Sequence, residues 1–121
     1  METKNVTNKV LALGDNEFEE GKITVAASTE IPAGALLKRN ADGSFALAGG
    51  SDTAIAVMPF ALKNEKTAAA VLGFRALVSG RVRLDMLNIG GIAITAAQRD
   101  ALRDYGIIAV KATNVSELDN Q

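Results

Sequence analysis

The residues of this chain that could do chemistry are acids, arginines and serines. Glu17, Glu19 and Glu20 follow Asp15 in an acidic run. Paired carboxylates work as acid and base only where surroundings push their pKa values apart. A polar stretch headed by Thr3, Lys4 and Asn5 offers no such surroundings, so these acids read as a solvated charge run. The run also lacks the later glycine and glutamate of an EF-hand calcium loop. Ser28, Ser44, Ser51, Ser79 and Ser116 have no partner base, since the chain contains no His and no Ser-Lys motif. Gly49-Gly50 and Gly90-Gly91 are not followed by the Gly-Lys-Ser/Thr of a phosphate loop, and read as turns. Arg75, Arg81 and Arg83 suggest a small basic stripe on adjacent strands. Stacking on nucleic acid needs interleaved aromatics, and only Phe74 is at hand. A solvated sheet face or subunit salt bridges explain the stripe more simply. These residues define no catalytic site, no cofactor site and no metal site, so the expectation is a protein that is not an enzyme.

Composition narrows the classes further. The chain has 121 residues, a net charge of −1, and 48% hydrophobic but only 4% aromatic residues. That length suits one domain. The absence of Cys and His removes thiol chemistry, disulfides and zinc sites of the usual kind. A balanced charge argues against a nucleic-acid binder, which must neutralise many phosphates. No apolar run approaches the roughly 18 residues of a membrane helix. The first residues lack a signal peptide's long apolar stretch, so synthesis in the cytoplasm is expected. With no Trp, four Phe and one Tyr, the core must be filled mainly by aliphatic methyl groups. Small side chains each bury little area, which favours oligomerisation as a source of further burial.

The elements that must position these residues are mostly strands. Residues 1–22 differ from the rest and are expected to form a flexible arm. Within it, Val6 to Leu13 could add as a strand to a partner's sheet, making Val6, Val10, Leu11 and Leu13 the candidate binding residues. From residue 23 to 112 short β-rich segments alternate with turns. Ile23–Ala26 reads as a strand, Ile31–Gly34 as a turn and Ala35–Arg39 as a strand. Asn40–Gly43 is a hairpin signal, with Ser44–Ala48 returning. Thr53–Leu62 reads as a longer strand broken at Pro59. Ala69–Val78 and Arg81–Leu87 read as a strand pair turning at Ser79-Gly80, each with one wet face. Thr95-Ala96-Ala97-Gln98 is a capping box that opens a short helix, and Gly106 stops it. Ala97, Ala101, Leu102 and Tyr105 would share its packing face. Ile107–Ala112 is a last strand, and 113–121 a polar tail. The expected fold is a mostly β, small antiparallel barrel or sandwich with one short C-terminal helix.

The stretch Ile31-Pro32-Ala33-Gly34-Ala35-Leu36-Leu37-Lys38 resembles the early turn and strand of phage head decoration proteins, the lambda D-like group. The order from Leu62 through Ala70–Val78, Gly80, Arg81–Leu84 and the close Tyr105-Gly106-Ile107-Ile108-Ala109-Val110 is similar as well. Phage head-fibre base proteins look alike at this level. The resemblance spans about residues 23–112; Met58-Pro59-Phe60 falls outside its pattern. It implies a cofactor-free homotrimer on the virion capsid surface, made in a bacterial cytoplasm and bound to the major capsid protein. It also implies that the arm orders on the shell. A small β-barrel adaptor of a larger complex is the alternative from another class.

Overall fold

The computed structural model describes residues 11–13 and 16–111. The chain runs through β1 (Glu17–Val25), β2 (Thr29–Ile31), β3 (Leu36–Arg39) and β4 (Phe45–Leu47). Next come β5 (Ala56–Val57), β6 (Leu62–Asn64) and the long β7 (Ala70–Arg83). A 3-10 turn (Leu84–Met86), β8 (Asn88–Ile89), β9 (Ile92–Ala93), helix α1 (Ala96–Arg103) and β10 (Ile107–Val110) follow. Five strands in the order β1-β4-β3-β5-β7 close into a barrel when β7 pairs with β1. This is the mostly β class read from the sequence, with its helix near the C-terminus. One barrel pairing, β1 with β4, is parallel, with Ile23 opposite Phe45.

Two apolar clusters sit on the two sides of the barrel wall, because successive strand residues point to opposite faces. Inside lie Ile23 and Val25 of β1, Leu37 of β3, Phe45 of β4, Ala56 of β5 and Ala76 of β7. Phe74 meets Phe45 edge-on, ring centroids 5.5 Å apart. Gly21 makes room for this: a Cβ there would fall 2.4 Å from the Phe45 ring. Outside, Leu36, Val57 and Leu77 line up across β3, β5 and β7. They are covered by Leu11, Leu87, Leu102 and Ile107, which come from four separate parts of the chain.

Local chemistry sets several junctions. Asp42 closes the β3–β4 hairpin by accepting from the Ser44 amide at 3.0 Å and its hydroxyl at 2.7 Å. Gly34 holds φ at +89°, and a Cβ there would lie 1.9 Å from the Met86 carbonyl oxygen. Only glycine suits both the angle and the approach. Thr95 caps α1: its hydroxyl accepts from the Gln98 amide, and the Gln98 side chain accepts from the Thr95 amide. Asn64, 1% exposed, ties the β6 end to its neighbours. Its Nδ2 donates to the carbonyls of Val25, Ala26 and Ala68, and its Oδ1 accepts from the Lys66 amide.

Four sequence expectations change. First, 69–87 is no hairpin. β7 is one 14-residue strand running straight through Ser79-Gly80. Gly80 (φ +126°) is there because Asn16 comes so close that a Cβ would lie 2.3 Å from its side chain. The glycine marks a crowded crossing, not a turn. The expected wet face holds from Ala70 to Arg75, where Val71, Gly73 and Arg75 are exposed, and ends at Ala76 and Leu77, which are both buried, one in each cluster. Second, residues 17–22, assigned to the flexible arm, belong to β1, which pairs with β7 from Glu17 to Val25. Third, 53–62 is not one strand. β5 ends at Val57, and β6 leaves the barrel to pair with β2. Fourth, of the expected helix face only Leu102 is buried, while Ala97, Ala101 and Tyr105 are exposed. An eight-residue helix meets the sheet through one turn only. The expected tail, 113–121, lies outside the described residues.

Candidate interaction surface

The candidate binding residues separate. Leu11 is 1% exposed and sits in the outer cluster. Its carbonyl accepts from the Arg83 amide, and the Leu13 amide donates to the Arg81 carbonyl, both at 3.0 Å. Ala12 bridges antiparallel to Val82. Leu11 to Leu13 therefore add a strand to this chain's own β7, not to a partner's sheet. The reason is energetic: Leu11 is buried in the same cluster as Leu77, Leu102 and Ile107, and burying such a side chain is worth about 1.5–3 kcal/mol. Val6 and Val10 lie outside the described residues.

The acids do not converge. Glu19 pairs with Arg39 at 2.9 Å, and the Arg39 guanidinium lies 4.6 Å from the Phe45 ring centroid. This ion pair stands over one end of the inner cluster. Glu20 faces solvent opposite Arg75. Among the described residues no cluster of three or more acids could hold a metal. Asp42 is held below the usual aspartate range, chiefly by the Ser44 hydroxyl. Asp52 is held low first by the Gly49 amide and then by Lys38, 3.2 Å away. Both are surface turn residues. The three arginines share one strand. Arg83 pairs with Asp85 at 3.3 Å, whereas Arg75 lies over the Phe18 ring at 5.5 Å.

A concave surface does form, at a place the sequence did not single out. Past Val57 opposite Leu77, the chain swings away from β7, and β6 pairs with β2 instead. The gap is a half-open groove of about 420 Å³ lined by Phe18, Phe60, Phe74, Met58, Pro59 and Arg75, among others. Its lining is mostly apolar, and Arg75 is its one charged residue among the described residues. Phe60, 67% exposed, stands at its edge. Met58-Pro59-Phe60 is the segment that matched no pattern in the sequence. An apolar side chain left in water beside a proline that breaks a strand was the available signal.

Such a surface can bind but holds no paired acid and base. No protein-family model matches the chain, and neither does any curated protein.

Proposed function

We propose that the chain is a structural decoration protein of a phage head, a homotrimer that clamps neighbouring shell subunits of the expanded capsid. The carrying observation is the turn and strand Ile31–Lys38 in the setting where it occurs: a small closed barrel in which Gly34 packs against the Met86 carbonyl. The reading needs no cofactor and no enzyme chemistry. A trimer presents three equal contacts, so modest affinities multiply through effective concentration. A protein that binds only the expanded lattice stabilises that state by linkage. Val6 and Val10 remain the arm's contacts to the shell protein. Leu11 and Leu13 instead anchor the arm's root on β7, so that a pull on the arm is carried into the barrel.

Light scattering on the full chain should give three times the 12.6 kDa chain mass. Sedimentation with expanded, DNA-free heads should carry the protein down, and Val6→Asp with Val10→Asp should weaken that without changing the mass. A strict monomer that ignores heads at high concentration overturns the reading. The apolar groove favours a second reading, an adaptor domain that holds a partner segment. A monomer or dimer with an occupied groove is its signature. A head-fibre base would behave as the trimer does and carry an additional chain.

A further inference from the structure

Three observations meet at the groove beside β7. The first is an open strand edge. From Ala70 to Ala76, β7 pairs with β1 on one side, while β5 reaches it on the other only at Leu77. No backbone hydrogen bond outside the ladders involves these seven residues among the described residues. An open edge of this length is a template for an added strand. The second is the apolar wall of Phe18, Phe60 and Phe74. The third is Arg75. Its guanidinium lies over the Phe18 ring and has no carboxylate partner among the described residues, its cross-strand neighbour Glu20 included.

We propose that this groove is a docking site for an extended segment of a partner protein in which large apolar residues alternate with acidic ones. Each feature selects one part of that occupant. The strand edge selects an extended backbone, because ladder hydrogen bonds supply affinity without regard to sequence. The aromatic wall selects an apolar side chain. Arg75 selects a carboxylate, and the Phe18 ring holds its planar fork in place so that less freedom is lost on pairing. Strand alternation with a period of two matches this pattern, since neighbouring side chains point to opposite faces. The site goes beyond the capsid reading and does not depend on it.

The test uses two blocked hexapeptides, one alternating leucine with aspartate and one alternating leucine with lysine. They are titrated into the full chain and followed by backbone amide chemical shifts. The aspartate peptide should perturb Val71–Arg75 and Phe60–Leu62, and should bind about threefold more tightly than the lysine peptide. Added salt should shrink that preference. Arg75→Glu should reverse it. Phe60→Ser, at an exposed position that spares the fold, should weaken both peptides about tenfold. Equal binding of the two peptides, or shifts confined to the β10 edge, overturns the proposal. So does a fall in molar mass of the peptide-free protein on Phe60→Ser, because a second copy then covers the groove. A trimer that binds heads but neither peptide defeats this site and leaves the capsid reading standing.

Discussion

Inside the barrel, most buried side chains come from barrel strands whose alternation is local, with Ala35 and Met58 added from the residues flanking β3 and β5. Ile23 and Val25 are two residues apart, and the same rule places Leu37, Phe45 and Ala56 opposite them. Outside the wall, Leu11, Leu87, Leu102 and Ile107 arrive from four places and meet only because the chain has folded. The inner cluster is thus a property of the sheet, and the outer one a property of the connections. The outer layer also fastens both ends of the described chain, the Leu11 segment and β10, to the two sides of β7.

Phe45→Ala should strike hardest, because it empties the barrel where Phe74 and Gly21 close on the ring. A loss of about 3–5 kcal/mol is expected in urea unfolding. If the loss were under about 1 kcal/mol, the inner cluster would not be the main core. Leu11→Ala sharpens the comparison from the other side. As a true member of the outer core it should cost about 2–4 kcal/mol, and as part of a loose arm almost nothing. Hydrogen exchange at the Arg83 amide, bonded to the Leu11 carbonyl, should rise in the same variant.

Asn64→Ala comes next, at about 1–3 kcal/mol, since it strands the buried Val25 carbonyl and loosens the part-buried carbonyls of Ala26 and Ala68. The variant should loosen the β2–β6 ribbon without altering the β7–β10 pairing, as amide exchange would report. The smallest effect belongs to Asp42 and Asp52. Both carboxylates are held low in the folded state by their turn hydrogen bonds. Their contribution is therefore complete above about pH 4 and fades as pH falls through the lowered folded values. Asp42→Asn with Asp52→Asn should lower stability slightly at neutral pH, where the charged carboxylates contribute, and change it little in strong acid, so that the acid limb of a stability curve flattens. An unaltered acid limb would show these turns to be indifferent to charge.

Much of the fold was legible in single segments. The Thr95–Gln98 capping box, the Asp42-Gly43 turn and the extended segments around Ile23 and Leu36 follow from short-range chemistry, and short-range chemistry is what a sequence displays. The errors share one cause. Gly80 looked like a turn because glycine often is one, yet its small size serves Asn16, a residue 64 positions earlier. Leu11 looked like an arm residue because its partners Leu77, Leu102 and Ile107 are distant in the chain. The groove was invisible for a related reason. Pro59 announces a break in a strand, but not that β6 will choose β2 over β7.

By itself, then, the order of amino acids determined which segments extend, where they turn, how the helix starts, and that chemistry relying on His or Cys is excluded. Tertiary structure alone decided that β7 is one unbroken strand, buried on both faces at Ala76-Leu77, that the Leu11 segment belongs to the body, and that an aromatic groove opens beside Arg75. The division is physical. Backbone preferences and caps act over a few residues, whereas burial and strand pairing compare surfaces that are neighbours only after the barrel has closed.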